Sequence, residues 1–349
     1  MRHLRVRGVH VAWDHALPRL RANRTAHRAP RVTTATFGSL GLVVGHATDD
    51  AGATGCTVIR GADGPFRAAA AVIGRATGTR ELALLDPAAT VDRVDALLIA
   101  GGSAYGLDAA AGVMRWHEAQ GRGFAVGGGV VPIVPGAVLF DLKPCGRFDA
   151  RPDAAMGFSA CEAARGSGIA EGSVGAGTGL TVGKARGAAG AMKGGIGIAS
   201  ASGHGHHAVA LAAVNAFGDV CDANGGPIAG VRGADGALIG TVAALEHAAP
   251  ATSFPAGSNT TIAVVALSAA LPRTALHNVA QAATAAFHRR IRPAGTSWDG
   301  DIVFALAPLE GPSAEPLAIE LLAVQALEAA IERAVRLARG RDGIPGLAD

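Results

Sequence analysis

Aromatic residues are scarce in this chain: 4% of 349 residues, with one tyrosine, Tyr105. Nucleic-acid surfaces are built from basic stripes and interleaved aromatics. No such stripe occurs and the net charge is only +3, so no nucleic-acid partner is expected. Cysteine is scarce too. Cys56, Cys145, Cys161 and Cys221 are scattered, without C-x-x-C spacing. That argues against a disulfide framework or a structural zinc site, and it fits small buried thiols in a reducing cytosol. Charged residues make up only 17%. Even so, no apolar run reaches the roughly 18 residues of a membrane span without a turn former or a charge. No membrane association is expected, and the expected location is cytoplasmic.

Apolar and small residues are what the chain has in quantity. A hydrophobic share of 49% supports a large core and argues against disorder. Fifty glycines far exceed the average usage of about 7%. They follow no collagen period, so they read as tight turns and close backbone contacts in a layered protein. Residues 1–36 are rich in Arg and His, poor in acids, and lack the apolar centre of a secretory signal. Their composition is that of a transit peptide or of a plain disordered arm, and the arm is the reading adopted. Residues 37–349 are expected to form one domain.

Along that domain, 41–45 opens the globular part, 94–100 is an apolar run stopped by Gly101-Gly102, and strands are expected at 56–59, 68–73, 209–214, 261–265 and 301–307. Helices are expected at 103–120, with Ser103 as N-cap, and at 154–164, 274–290 and 316–339. In the last helix Leu317, Leu321, Val324, Leu327, Ile331 and Val335 form the expected buried stripe. Residues 172–205 are expected to be loops and short strands, and 223–240 a linker. Clusters of strands between helical pairs imply helices layered on stacked sheets.

The stretch from Pro255 to Leu267 joins a polar turn to a β-branched run. Thr260 therefore stands at the mouth of a strand, behind a peptide bond expected to be exposed. Its hydroxyl could attack the Asn259 carbonyl. The new N-terminal threonine would then carry both a nucleophile and, in its α-amine, a base. An ordinary Asn-Thr-Thr turn explains the same letters. Asp299 and Asp301 flank Gly300, and a turn there would aim both carboxylates at one site; a solvated turn or a calcium-loop fragment are the alternatives. Asn215 ends an apolar stretch, where its amide would donate to an oxyanion or simply close a turn. Lys184 would pair with the aspartates or a substrate carboxylate, or lie on the surface. His204, His206 and His207 have no neighbouring acid, so no metal and no cofactor is expected.

With Asn-Thr-Thr-Ile-x-Val-Val and Asp299-Gly300-Asp301 come four further pieces in order. These are Ala100 to Asp108, Val131 to Pro135 with Phe140 to Leu142, Gly175 to Gly179 with Gly183 and Lys184, and Val214 to Ala216 with Gly218 and Asp219. Together they resemble the L-aminopeptidase D-amidase/D-esterase family, which includes β-peptidyl aminopeptidases and nylon-oligomer (6-aminohexanoate-oligomer) hydrolases, over roughly residues 38 to 340. The resemblance implies an α/β fold, a four-layer α/β/β/α sandwich of N-terminal-nucleophile type, also seen in ornithine acetyltransferases. It implies self-cleavage into 1–259 and 260–349 and an oxyanion role for Asn215. It also implies a homo-oligomer, a tetramer of processed protomers. The expected activity is an aminopeptidase or amidase on short peptides, amides or esters. Hydrolysis of 6-aminohexanoate oligomers is the alternative, because the nylon-oligomer hydrolases carry Asp-x-Asp where the β-peptidyl aminopeptidases carry Ser-x-Glu. Acyl transfer and an unprocessed, non-catalytic homologue are further alternatives. Phe140 stands near the position of a family tyrosine whose hydroxyl supports the oxyanion. Phe140 and Tyr105 are therefore substrate-binding candidates, with Tyr105 equally able to serve as packing.

Overall fold

Alternation along the strands decides the architecture. In the strand Thr260–Leu267, Ile262, Val264 and Ala266 enter one apolar core, while Ala263, Val265 and Leu267 enter another. Side chains two apart share a face of a strand, and a strand buried on both faces belongs to an inner layer. The strands His206–Asn215 and Ile302–Ala307 split the same way, with Val209, Leu211 and Ala213 on one side and Val303, Ala305 and Ala307 on the other. The computed structural model describes residues 35–247 and 257–349. Most of the expected arm, up to residue 34, and most of the segment before Ser258 lie outside the described residues.

Two five-stranded sheets face each other. In the first the order is Leu42–Asp49, Thr54–Gly61, Ala96–Ala100, Gly136–Val138, Gly78–Arg80. In the second it is Ile196–Gly203, His206–Asn215, Thr260–Leu267, Ile302–Ala307, Arg67–Val72. Ile59, Leu97 and Ile99 from the first sheet meet Leu211, Val264 and Phe304 from the second in the central core. Helices Ala109–Ala119 and Ala154–Glu162 cover the outer face of the first sheet, through Val113, Trp116 and Ala160 against Val58 and Leu98. Helices Arg273–Ala283, Ala285–Arg290 and Pro316–Arg336 cover the second. Three cores between four layers make an α/β/β/α sandwich.

The local departures from expectation have physical causes. The segment from Ser103 begins as a 3-10 helix, Ser103–Asp108, and becomes α-helical only at Ala109. Ser103 itself has φ 52° and does not cap; Gly102 precedes it without a side-chain cap. The helix expected at 274–290 is two segments that meet at Thr284, whose hydroxyl donates back to the Gln281 carbonyl. Leu317 and Leu321 are exposed, at 59% and 52%. Val324, Leu327, Ile331 and Val335 are buried as expected, and Ile319, Leu322, Ala323, Ala326, Ala330 and Ala334 complete the buried face. The expected linker is built rather than loose. The Asp219 carboxylate accepts bonds from the Val231 and Thr241 backbone N–H groups and from the Thr241 hydroxyl, and Val231 is fully buried.

Candidate active site

Three strands place the site. In the antiparallel ladder Asn215 is the partner of Thr260. The parallel ladder pairs Ile262 with Ile302, and a bridge pairs Asn259 with Asp299. Continuing that register sets Gly300 beside Thr260. Asn215, Thr260 and Gly300 thus form one row across the end of the second sheet. By the period of two they share the face of Ala213, Ile262 and Ile302, the face turned to the first sheet.

The peptide bond before Thr260 is buried, contrary to expectation. Asn259 is 0% and Thr260 3% exposed. The cause is that the polar turn joins the sheet: the Gly257 N–H donates to the Trp298 carbonyl and the Asn259 side-chain amide to the same oxygen. The Thr260 hydroxyl lies 2.6 Å from the Asn259 carbonyl oxygen and donates to it. The Gly300 N–H donates to that same oxygen at 2.8 Å.

Asn215 points its amide nitrogen at the Ser258 carbonyl, 3.2 Å, and at the Phe140 carbonyl, 3.0 Å. Its amide oxygen accepts from the Thr181 N–H and from the Lys184 ammonium, at 3.1 and 2.8 Å. These bonds fix the orientation of the amide, since each end finds only its own kind of partner. Lys184 is almost fully buried and also donates to the carbonyls of Asn215 and Ser258. Burial pulls its pKa down to about 7, against the nearby charges of Asp299 and Asp301, which favour the ammonium.

The two aspartates are buried and share a face without a turn at Gly300, the face opposite to that of the Thr260 and Asn215 side chains. The segment is extended, and residues two apart in extended chain share a face. One Asp301 oxygen accepts from the Thr261 N–H at 2.6 Å, and the other from the Gly295 N–H at 3.0 Å. Asp299 accepts from the N–H and hydroxyl of Thr296. Burial, and then the charge of Asp299, push the Asp301 carboxyl well above the usual carboxylate range. A group so displaced, beside a lysine displaced the other way, is the kind of pair found where protons are moved.

Phe140 reaches the row through its backbone carbonyl. A second buried network holds that segment: the Asp141 carboxylate accepts from the Thr54 hydroxyl and the Gly102 N–H. Tyr105 is exposed, its ring 3.8 Å from the Arg151 guanidinium. That contact is packing, and its hydroxyl takes no part in the hydrogen bonds of the row. Among the described residues no group of three or more His, Cys, Asp or Glu is placed to hold a metal ion.

A model of peptidase family S58 matches residues 40–343. The chain belongs to that family. It is therefore a hydrolase of the peptidase class. An uncharacterized aminopeptidase of Mycobacterium tuberculosis is 51% identical over 241 residues, 67% of each chain. The 6-aminohexanoate-oligomer endohydrolase of a Kocuria species is 29% identical over 299 residues, 78% of this chain and 74% of the other. Among solved structures, the chain is similar to a Burkholderia β-aminopeptidase, with TM-score 0.64, 23% identity, and 91% and 92% of the two chains covered. It is also similar to the L-aminopeptidase D-Ala-esterase/amidase of Ochrobactrum anthropi, described as a variant of the Ntn-hydrolase fold. There the TM-score is 0.66 with 19% identity and 89% and 88% covered. At such identities the structural likeness concerns the fold.

Sequence reasoning missed the backbone groups around Thr260 in this S58 chain. The Gly300 N–H, the Ser258 carbonyl and the Gly295 N–H carry no side-chain signal. Thr296, three residues before Asp299, was the one legible clue, since Thr and Asp at that spacing commonly bond each other's turn.

Proposed function

We propose that this S58 chain is a self-processing hydrolase in which Thr260 becomes an N-terminal nucleophile, acting as an aminopeptidase on short peptides, amino-acid amides or esters. The observation that carries the reading is the Thr260 hydroxyl, 2.6 Å from the carbonyl oxygen of the residue before it. Because that bond is buried, the one nucleophile at hand is the chain's own. Splitting would free the Thr260 amine as base for its own hydroxyl, with Asp299 and Asp301 beside it to hold its charge. Asn215 would then donate to the substrate oxyanion, and Lys184 would hold Asn215 in place. Tyr105 and Phe140 remain candidates for the wall of the substrate site.

A second substrate reading, ω-amino-acid oligomers, is favoured by the Asp299-Gly300-Asp301 pair and by the likeness to the Kocuria endohydrolase. A tetramer of processed protomers in the cytoplasm belongs to the same proposal. The exposed leucines Leu317 and Leu321 offer an apolar face for a second copy, and the four cysteines are free and buried, as in a reducing compartment.

Intact-mass measurement of the purified protein tests the reading. Two chains splitting at Asn259/Thr260, and one chain for Thr260→Ala, are expected. A wild-type chain that stays whole and hydrolyses no aminoacyl p-nitroanilide would overturn it. Rates on aminoacyl amides, β-peptides and aminohexanoate oligomers then separate the two substrate readings.

A further inference from the structure

The row at the sheet end holds two carbonyl oxygens by different donors. The Asn259 oxygen takes the Gly300 N–H; the Ser258 oxygen takes Asn215 and Lys184. Only the first belongs to the bond that Thr260 would break. The Asn215 amide, the expected oxyanion donor, is directed one residue upstream of it.

We propose that the Gly300 backbone N–H is the oxyanion donor for self-cleavage, a role separate from that of Asn215; this rests on the self-processing reading above. In the step, Thr260 Oγ bonds to the Asn259 carbonyl carbon, and the carbonyl oxygen takes the electron pair, 2.8 Å from the Gly300 nitrogen. Collapse breaks the Asn259–Thr260 C–N bond, and the hydroxyl proton ends on the Thr260 nitrogen. Water then hydrolyses the ester, returning the Thr260 hydroxyl and leaving a carboxylic acid on Asn259. The donor is rigid before the reaction begins, because the N–H is fixed by the parallel ladder and has no rotamer to lose. The residue must also be glycine. A Cβ at position 300 would lie 2.7 Å from Thr260 Oγ and 2.7 Å from the Ala76 carbonyl oxygen. Gly300 therefore supplies both the donor and the space in which the nucleophile sits.

The test replaces Gly300 by glycolic acid in cell-free translation of the full chain, exchanging its N–H for an ester oxygen. Splitting is followed by intact mass against time. Loss of one such donor is expected to slow splitting by about 10²–10³-fold, while the same replacement at Gly64, outside the site, leaves the rate as in wild type. A Gly300 ester chain that folds and splits at the wild-type rate would overturn the inference and leave the self-processing reading intact. A wild-type chain that never splits would overturn both. Should the ester chain not fold, hydrogen exchange of the Gly300 amide in the Thr260→Ala chain decides. Protection equal to that of Val303 and Phe304 supports the bond, and exchange at the rate of an open amide refutes it.

Discussion

A buried lysine whose pKa has been pulled down writes its environment into the pH dependence of folding. Lys184 has an ordinary pKa of 10.5 when unfolded and about 7 in the fold, chiefly because burial penalises the ammonium. Its folded pKa is depressed. Above pH 10.5 both states are neutral at this residue and it costs nothing. As pH falls toward 7 the unfolded chain takes up a proton that the folded chain refuses, and stability is lost at about 1.4 kcal/mol per pH unit. Across the whole interval the loss reaches about 5 kcal/mol.

Lys184→Met removes the titrating group and keeps the length of the side chain. Both chains should carry Thr260→Ala, so that neither splits and the unprocessed geometry is compared with itself. The stability of the lysine chain relative to the methionine chain, measured by urea unfolding, should rise by about 2 kcal/mol from about pH 7.5 to about pH 9. A difference that stays flat over that range would refute the reasoning. Lys184 would then be an ammonium throughout, with the charges of Asp299 and Asp301 outweighing burial.

Three further outcomes follow from the same geometry. Phe304→Ala empties a fully buried site between the sheets and should cost about 3–5 kcal/mol in urea unfolding of the unsplit chain. Thr296→Val removes the 2.6 Å hydroxyl bond to Asp299. Hydrogen bonds to charged groups are worth about 1.5–3 kcal/mol, so splitting, followed by mass, should slow about tenfold or more. Arg333→Ala loses the pairing with Glu171 on a surface where the arginine is 47% exposed. Its cost in thermal unfolding should stay at about 1 kcal/mol or less.

Much of the fold was legible because strands and helices announce themselves by period. The strand at Thr260, the one at Ile302 and the helix at Ala154 stand where their apolar letters put them. The phase of the final helix was legible in part: Val324, Leu327, Ile331 and Val335 are buried as expected. Leu317 and Leu321 are exposed, and at the start of the helix Ile319 and Leu322, residues of the same size, turn inward instead. Ala323, Ala326, Ala330 and Ala334 share that inner face with larger residues, and Gly197 comes so close that a Cβ on it would lie 2.1 Å from the Ala330 carbonyl oxygen. Close packing selects such small residues, and they carry little hydrophobic signal in a sequence. Thr260, Asn215, Lys184 and the two aspartates could be picked out as candidates by their letters, but the row that Asn215, Thr260 and Gly300 form could not. Which residue of one strand lies beside which of the next is a long-range property, and no local pattern in the sequence states that Gly300 neighbours Thr260.

The burial of the Asn259–Thr260 bond reverses one expectation and strengthens the chemistry it was meant to serve. An exposed bond would be open to any protease and would give the neighbouring hydroxyl no advantage. With Asn259 at 0% exposure, no second molecule can approach the carbonyl, whereas the hydroxyl of the next residue is already at hand. Proximity of that kind is the largest entropic advantage a nucleophile can have. The same burial requires that residues 258 and 259 move before any substrate can enter. Their carbonyls occupy the donors of Gly300, Asn215 and Lys184, so the unsplit chain fills its own site. Activity toward external substrates should therefore lag behind splitting and never precede it. Following both in one freshly synthesised sample is the check, and hydrolysis at full rate by the intact chain would show that the site is open without cleavage.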